Sequence, residues 1–332
     1  MAPGKRRLLV VVTDNRFGEL DVERGILEPA GFELREASCT TEGEVAEACA
    51  NADAVLVNLA PMGATAIAGL RRCKAIVRYG VGLDNVDLEA AAEKNIAVHN
   101  VPGYCDEEVA AHALALALDL VRSTTRRDRA VRSGDWNVRL PTPRLSTLTL
   151  GILGFGGTGA ALARMAAGIG FARILAWSPS LDQARIDRTL AYRRNAGSTR
   201  IISTAFGDLL AASDLVSLHL GLNSGTKGML GAREFALMKE GTRLINVARG
   251  ALIDEAALLA ALESGKLAGA ALDVNAIEPL PPENPLRSRD DVVLTDHAAW
   301  YSDGSVLELR KRAAELVLRS RPRASVTRDA QD

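Results

Sequence analysis

The chain has 332 residues, of which 48% are hydrophobic and 24% charged, and its formal net charge at pH 7 is −1. This length predicts two domains with apolar cores, and the near-neutral charge gives no electrostatic reason to expect nucleic acid or an anionic membrane as a partner. No stretch approaches the roughly 18 consecutive apolar residues of a membrane span, so neither secretion nor membrane insertion is indicated.

Strand-like and helix-like segments alternate through the first third of the chain. Apolar runs predict strands at residues 8–12, 32–34, 54–58, 75–78 and 96–98, and the segments between them predict helices at residues 22–27, 42–50, 64–70 and 88–92. Such alternation predicts a doubly wound α/β domain with a parallel sheet. Because this region lacks a glycine-rich phosphate-binding turn, we expect it to be the second domain of the chain and not a nucleotide site.

A turn at residues 100–103 predicts a hinge before a helical segment. Leucines alternate at positions 114–120, as in a strand, but the residues between them are mostly alanine and residues 106–108 are acidic. We therefore predict a helix with an acidic first turn. Five arginines follow between positions 122 and 132, interleaved with Asp128 and Asp135, which favours a solvated or subunit-facing helix end over a polyanion site.

The sequence is organised around an apolar run at residues 148–153 that ends in a cluster of glycines. The pattern predicts a strand, a tight turn and a helix whose N-terminus faces phosphate groups. Gly154 would permit the sharp turn, Gly156 the close approach of a pyrophosphate, and Gly159 the close packing of the helix on its strand.

The segments after this turn extend the α/β pattern. Leu162, Met165 and Ile169 are expected on one face of the helix, and a strand at residues 173–177 completes a βαβ unit. The other predictions are strands at residues 215–220, 243–248, 269–274 and 292–295, a helix at 255–262, and an amphipathic helix at 305–318 with Val306, Leu309, Ala313, Leu316 and Val317 on one face. The polar residues after Ser320 are expected to fray.

Three ionisable residues each follow a predicted strand: Arg249, Glu278 and His297. The carboxyl ends of parallel strands meet at one edge of a sheet, so we expect these side chains to lie together. A guanidinium binds a carboxylate through two donors, an imidazole passes a proton near neutral pH, and a carboxylate can hold that imidazole charged. The set suits proton-coupled hydride transfer, although each residue alone is more often a surface ion pair or a structural histidine.

Several motifs occur together in order. They are Arg78-Tyr79-Gly80-Val81-Gly82-Leu83-Asp84-Asn85-Val86-Asp87, the glycine turn at 154–159, residues 218–223, residues 246–250, residues 271–274 with Glu278-Pro279, and residues 297–302. From about residue 78 to residue 318 the chain resembles the D-isomer-specific 2-hydroxyacid dehydrogenases, and within them the branch that includes the C-terminal-binding-protein corepressors.

The resemblance implies two Rossmann-like α/β domains. Residues 1–102, completed by residues 300–332, would bind substrate, and residues 103–299 would bind a dinucleotide. It further implies hydride transfer between a nicotinamide cofactor, NAD or NADP, and a small 2-oxo or 2-hydroxy acid in a cleft that closes between the domains. The family is commonly dimeric through the central domain, with residues 106–132 embracing the partner, so a homodimer is expected.

The resemblance also implies roles for individual residues. Arg249, Glu278 and His297 would be the catalytic triad: His297 protonates the carbonyl oxygen, Arg249 holds the substrate carboxylate and Glu278 keeps the imidazole protonated. Val81 and Gly82 would offer backbone N–H groups to the substrate carboxylate, and Trp300 would shape the substrate pocket. The implied cofactor residues are Gly154, Phe155, Gly156, Gly157, Thr158, Gly159, Ser178, His219, Asn223, Val247, Ala248 and Asp273, with Asp273 at the nicotinamide carboxamide.

The chain departs from the family pattern at three positions. Asp296 replaces the proline before the catalytic histidine, which places a carboxylate beside His297 and could alter the local backbone. Ala111 replaces a glutamate that often precedes His112. Ser178 replaces the acidic residue that normally binds the adenosine ribose and repels a 2′-phosphate, so the barrier to NADP is missing and we expect weak discrimination with NAD preferred.

Two alternatives to a 2-oxo acid reductase stay open. A dinucleotide-sensing interaction protein like the corepressors would also retain the triad, and a related dehydrogenase could act on formate or phosphite, against which the match at Trp300 argues. The complete triad and the absence of long low-complexity extensions favour the enzyme. Cys39, Cys49, Cys73 and Cys105 lack metal-ligand spacing, so we predict buried thiols in a cytoplasmic protein and no metal site.

Overall fold

The computed structural model describes residues 6–191 and 199–320, and the chain divides into two compact units. The first unit runs to Tyr104 and resumes at Ser302, and the second is Cys105–Tyr301. Both are α/β units with parallel sheets, so the predicted fold class is confirmed. The fraying predicted after Ser320 lies outside the described residues.

The secondary structure follows the predicted alternation closely. The strands are β1 (Leu8–Val12), β2 (Phe32–Glu36), β3 (Ala54–Val57), β4 (Ala75–Arg78), β5 (Ala97–His99), β6 (Thr149–Leu153), β7 (Arg173–Trp177), β8 (Ile201–Ser203), β9 (Leu215–Leu218), β10 (Thr242–Asn246), β11 (Leu267–Leu272) and β12 (Val292–Leu294). The helices are α1 (Asp21–Leu27), α2 (Glu42–Cys49), α3 (Ala64–Gly69), α4 (Leu88–Glu93), α5 (Asp106–Arg122), α6 (Thr124–Arg132), α7 (Gly157–Ile169), α8 (Gln183–Ala191), α9 (Phe206–Ala212), α10 (Ala232–Leu237), α11 (Glu255–Glu263) and α12 (Asp303–Arg319).

Each unit contains one sheet in which all neighbouring strands are parallel. The strand order is β2-β1-β3-β4-β5 in the first unit and β12-β11-β10-β9-β6-β7-β8 in the second. The order reverses between β1 and β3 and between β6 and β9. Ligands of open α/β sheets bind outside the carboxyl ends of the strands at such switch points. The glycine turn follows β6, at the switch point of the second sheet.

The central strands are buried along their whole length. Every residue of β3, β6, β9 and β10 is buried, because helices cover both faces of a parallel sheet. The four cysteines are buried free thiols, as predicted.

The packed face of α7 differs from the prediction. Leu162 is buried, but Met165 is half-buried and Ile169 is 38% exposed. Most of the buried positions are alanines and Gly159. Small residues let the backbone of α7 approach its neighbours closely, so the large apolar residues that suggested the face are not the ones that build it.

The alternating leucines do form a helix, α5, which ends at Ser123 in a left-handed conformation with φ of 55°. The next helix, α6, buries none of its own residues in the described part of this single chain. The homodimer through residues 106–132 stays a prediction. Four short elements were not predicted: α8, β8, α9 and α10.

Candidate active site

The turn after β6 has the geometry that its glycines predict. Gly154 has a φ of 99°, in the left-handed region, and a Cβ on it would lie 2.4 Å from the carbonyl oxygen of His219. A Cβ on Gly159 would lie 2.0 Å from the carbonyl oxygen of Gly154. Both positions therefore require glycine, the first for the turn and the second for the contact between α7 and the turn.

The beginning of α7 fits the phosphate groups of a dinucleotide. No heavy atom of the described residues lies within 4 Å of the place where a Cβ of Gly156 would stand. Gly156 is also the N-cap of α7 and has no side chain of its own to occupy the first N–H groups of the helix, whereas the carboxylate of Asp106 lies against the next residue, 2.0 Å from the place where a Cβ of Gly157 would stand. A helix of this length presents those N–H groups and the positive end of its dipole to an anion.

The side chain of His219 connects strand β9 with helix α7 at the switch point. Its Nε2 lies 2.9 Å from Ser217 Oγ and its Nδ1 3.3 Å from Thr158 Oγ1 in the first turn of α7. Burial lowers the pKa of His219 to about 3, so the ring is neutral at physiological pH. His219 thus acts as a hydrogen-bonding spacer between β9 and α7, not as a charge.

Four other predicted cofactor residues follow strands at this edge of the sheet. Ser178 directly follows β7, and Val247 and Ala248 directly follow β10. Asn223 lies in the loop after β9, where its Oδ1 accepts a hydrogen bond from the N–H of Gly225 at 2.8 Å and so closes its own turn.

Arg249 is held by the turn that ends β10. The buried Asn246 donates from Nδ2 to the carbonyl of Arg249 at 2.9 Å, and its Oδ1 accepts the N–H of Ala248 at 3.1 Å. The side chain of Arg249 donates to the carbonyl of Ala248 at 2.7 Å. One buried amide therefore fixes the backbone that carries the guanidinium, a role that the sequence pattern did not assign to Asn246.

Glu278 and His297 form a direct pair. The imidazole Nδ1 lies 2.7 Å from Glu278 Oε2, and the other carboxylate oxygen accepts the N–H of Asn275 at 2.8 Å. The side chains are 42% exposed for His297 and 35% for Glu278. With Nδ1 directed at the carboxylate, Nε2 is the atom that can exchange a proton with a ligand.

The electrostatics of Glu278 place Arg249 beside the pair. Burial acts to raise the pKa of Glu278, but the hydrogen bonds from His297 and Asn275, together with the charges of His297 and Arg249, hold it below its usual value. Glu278 is therefore a carboxylate across the neutral range. The structure brings the three predicted catalytic residues together at one edge of the second sheet.

The backbone of His297 is left-handed, with φ of 58°, which is uncommon for a residue other than glycine. Asp273 holds it there from both sides. Its carbonyl accepts the N–H of His297 at 2.9 Å, and its carboxylate accepts the N–H groups of Ala298 at 2.9 Å and Ala299 at 3.0 Å. Asp273 is thus the support of the loop that carries the catalytic histidine.

This arrangement bears on the role predicted for Asp273. Its side chain is 1% exposed and also accepts the hydroxyl of Thr295 at 2.6 Å. His112 Nε2 lies 3.1 Å from the same hydroxyl. The carboxylate of Asp273 already accepts hydrogen bonds from Thr295, Ala298 and Ala299, and its contact with the nicotinamide carboxamide remains a prediction. Thr295 and His112 are supporting residues that the motifs did not reveal.

The three predicted substrate residues lie in loops, Trp300 in the second unit and Val81 and Gly82 in the first. Trp300 follows the His297 loop and packs edge-on against Tyr301, with ring centroids 5.6 Å apart. Val81, 45% exposed, and Gly82 lie in the loop after β4 of the first unit. Asp296 is exposed.

Among the described residues no helix is long and apolar enough to cross a membrane.

A dinucleotide turn at the switch point and an acid–base pair beside an arginine define a dinucleotide-dependent oxidoreductase. The family model described as D-isomer specific 2-hydroxyacid dehydrogenase, NAD binding domain, matches residues 114–299. The chain therefore belongs to the D-isomer-specific 2-hydroxyacid dehydrogenase family.

Individual relatives agree with this assignment. The chain is 37% identical over 262 residues to a glyoxylate reductase of Korarchaeum cryptofilum, covering 77% of this chain and 74% of that protein. It is 36% identical over 237 residues to a D-3-phosphoglycerate dehydrogenase of Archaeoglobus fulgidus, but the match spans 71% of this chain and only 43% of that protein.

The fold is similar to the crystal structure of a D-lactate dehydrogenase from Aquifex aeolicus complexed with NAD and lactic acid. The TM-score is 0.81 at 26% identity, over 93% of this chain and 94% of that one. These relatives lend no support to the corepressor alternative, and they do not single out the corepressor branch of the family.

Proposed function

We propose that this chain reduces a small 2-oxo acid to the D-2-hydroxy acid, with NAD as the preferred cofactor. The observation that carries the proposal is the Glu278–His297 pair at 2.7 Å beside Arg249. It lies in the unit whose glycine turn fits a dinucleotide. The relatives named as glyoxylate reductase and D-lactate dehydrogenase act on acids of this class.

The proposed chemistry assigns one task to each side chain. Bound reduced NAD supplies the hydride. His297 donates the proton from Nε2 to the carbonyl oxygen of the substrate, and Glu278 stabilises the imidazolium before the transfer. Arg249 binds the carboxylate and polarises the carbonyl, and the N–H groups of Val81 and Gly82 bind the same carboxylate. The residues of the glycine turn hold the pyrophosphate.

A substrate panel tests this proposal. Glyoxylate, pyruvate, hydroxypyruvate, 3-phosphohydroxypyruvate and phenylpyruvate are offered with reduced NAD and reduced NADP, and nicotinamide absorbance reports turnover. We expect turnover with at least one of these acids. Turnover with none of them, together with NAD reduction by formate or phosphite, would contradict the proposed substrate class.

Glu278→Gln is expected to cost reductive activity first on the alkaline side of the pH profile. The lowered pKa of Glu278 keeps it negative throughout the neutral range, and this charge favours protonated His297. Glutamine keeps the shape but loses the charge that stabilises the imidazolium, so proton donation is expected to suffer most where protons are scarcest. The measurement is kcat against pH. The matched control is Asp296→Asn, whose exposed carboxylate is expected to contribute little; a profile moved by Asp296→Asn and not by Glu278→Gln would contradict the assignment.

The cofactor preference depends on Ser178 and on Arg185. Ser178 does not repel a 2′-phosphate, and Arg185 of α8 bends back so that its Nη1 lies 3.2 Å from Ser180 Oγ. A cation therefore lies near the position that a 2′-phosphate would take. We propose that both cofactors are used, with NAD preferred.

Ser178→Asp is expected to lower kcat/KM with NADPH far more than with NADH, because it adds a negative charge beside the 2′-phosphate. Arg185→Gln should also impair NADPH selectively, because it removes the nearby cation. Kinetics with both cofactors check these effects. A wild-type preference for NADPH of about a hundredfold or more, which corresponds to about 2.8 kcal/mol, would contradict the proposed preference for NAD.

A further inference from the structure

A buried polar cluster joins three distant parts of the first unit. Glu23 of α1 is 0% exposed, Tyr79 after β4 is 2% exposed and Arg310 of α12 is 7% exposed. The hydroxyl of Tyr79 donates to Glu23 Oε1 at 3.0 Å. Arg310 donates from Nε to Oε1 at 3.0 Å and from Nη2 to Oε2 at 2.8 Å. These three residues are called the Glu23 cluster below.

Stability alone is a weak explanation for burying these groups. A buried ion pair loses as much in desolvation as it gains in attraction, and apolar residues of similar volume often replace it without loss. A fully satisfied buried network does, however, specify one geometry. Here the geometry is further fixed because Arg310 Nη2 also donates to Asp21 Oδ1 at 2.9 Å and to the carbonyl of Glu19.

The ring that this cluster holds immediately precedes the loop of Gly80, Val81 and Gly82. The backbone N–H of Tyr79 donates to the carbonyl of Val57, the last residue of β3, at 2.8 Å. This is the last hydrogen bond to the neighbouring strand before the chain leaves the sheet. Gly80 is buried with φ of 144°, so the chain direction changes directly after Tyr79. The orientation of the Tyr79 ring therefore sets the start of this loop.

The far side of the loop is fixed separately. The carbonyl of Gly80 accepts the N–H of Val101 at 2.8 Å, and the carbonyl of Val81 accepts Asn100 Nδ2 at 2.6 Å. Both bonds take carbonyl groups, so neither of them occupies the N–H groups of Val81 and Gly82. One side of the loop is held by residues 100–101, and the Tyr79 side chain is a support on the other side, where the guanidinium of Arg78 also lies against Gly80.

We propose that the Glu23 cluster is a positioning device for the Gly80–Gly82 loop, through which the C-terminal helix α12 sets the affinity for the substrate carboxylate. The inference rests on the proposed function, because that function assigns the N–H groups of Val81 and Gly82 to the carboxylate. Tyr79, Glu23 and Arg310 are positioning residues that act through the loop backbone.

Tyr79→Phe is the sharpest test, because it deletes one hydroxyl and keeps both the ring and the Glu23–Arg310 ion pair. A hydrogen bond to a charged group is worth enough to change an affinity about tenfold. We expect KM for the 2-oxo acid that the wild type reduces fastest to rise about tenfold, with kcat within about twofold and unchanged binding of reduced NAD by fluorescence titration.

Arg310→Lys tests the other end of the cluster. Lysine keeps the charge but loses the planar donor set that orients the Glu23 carboxylate. We expect KM to rise in the same way. The double variant Tyr79→Phe/Arg310→Lys should have about the KM of whichever single variant has the higher KM, because both substitutions act through one carboxylate. Single effects that multiply in the double variant would contradict a shared device.

A matched control separates positioning from stability. Lys94 of the same unit donates from Nζ to the carbonyls of Ile67, Ala68 and Leu70 at 3.1, 2.8 and 2.8 Å, at the end of α3 and away from the loop. Lys94→Met should lower the midpoint of thermal unfolding without changing KM. A rise in KM for Lys94→Met equal to that for Tyr79→Phe would show that any destabilisation of the unit has this effect, and would overturn the proposal.

Hydrogen exchange tests the inference independently of activity. In Tyr79→Phe the hydrogen-bonded backbone amides of Gly80 and Val101, which border the loop, should exchange faster than in the wild type, and in Lys94→Met they should not. If no 2-oxo acid is reduced by the wild type, the proposed function fails, while this exchange measurement still decides whether the cluster holds the loop. Unchanged loop exchange and unchanged KM in Tyr79→Phe, with only a lower unfolding midpoint, would overturn the inference.

Discussion

His297→Asn is expected to lower kcat for 2-oxo acid reduction by about 10²- to 10⁴-fold, the usual contribution of a positioned general acid. Asparagine has no group that can donate the proton from the position of Nε2. Binding of reduced NAD should change little, because the glycine turn that fits the phosphates follows a different strand, β6. Steady-state kcat and a direct titration of the cofactor measure the two effects separately.

The control for this variant is His99→Asn in the first unit. His99 Nε2 lies 3.1 Å from Ser320 Oγ and has no place in the proposed chemistry, so turnover should stay close to that of the wild type. Near-normal turnover of His297→Asn would remove His297 from the mechanism. Loss of cofactor binding together with turnover would instead indicate that the His297 loop supports the dinucleotide site.

Arg249→Lys is expected to lower kcat/KM by about 10²- to 10³-fold with the fold intact, as when a donor to developing charge is removed. Lysine keeps the positive charge beside Glu278, so the electrostatic support of the carboxylate is largely retained. It loses the planar fork that binds carboxylate and carbonyl oxygens together. Comparing kcat with kcat/KM separates lost transition-state stabilisation from lost substrate binding.

Arg243→Lys is the matched control on the same strand, β10. The Nε of Arg243 donates to the carbonyl of Leu120 at 3.0 Å, and the side chain is buried away from the Glu278–His297 pair. This variant should lower stability without lowering kcat/KM. A wild-type value of kcat/KM for Arg249→Lys would mean that Arg249 does not bind the substrate.

The fold was predictable from sequence because parallel strands buried on both faces are continuous apolar runs, as in β4 and β7, which have the predicted bounds. Three of the longer strands end earlier than predicted. The apolar pattern continues past β9, β10 and β11 although the hydrogen-bonded ladder stops. Burial and strand pairing are separate properties. An apolar run predicts which residues are buried, but it does not predict where the hydrogen-bonded ladder ends. The short elements α9 and β8 carry too few residues to show a period.

The candidate site was predictable to the extent that strand ends carry the reactive groups. The pairing of Glu278 with His297 follows from that rule, and the structure bears out the contact. The supports of the site were not predictable, because they depend on contacts distant in sequence. The predicted cofactor role of Asp273 stays a prediction, and the sequence pattern gave no sign that its carboxylate also holds the His297 loop.

The C-terminal helix α12 also has contacts that its sequence pattern does not predict. Leu309, Ala313 and Val317 of the predicted apolar face are buried in α12, while Val306 and Leu316 are only half-buried. Arg310 is buried as well, although a periodicity argument places arginine in solvent. Its partner Glu23 lies 287 positions earlier in the chain. No local sequence pattern can indicate a pair so distant in the chain. The burial of Arg310, where periodicity predicts exposure, is the observation that drew attention to the Glu23 cluster.

The most direct test of the proposed activity is the fate of deuterium from reduced nicotinamide that carries deuterium at both C4 positions, so that the label is transferred whichever face reacts. The wild-type enzyme is supplied with the labelled cofactor and the 2-oxo acid that it reduces fastest among those of the panel with a chiral product, which leaves out glyoxylate, and the product is analysed by mass and by chiral chromatography. We expect a D-2-hydroxy acid with deuterium on carbon 2, and almost none from His297→Asn in the same time. An L-product, an unlabelled product, or equal yields from the wild type and His297→Asn would contradict the account.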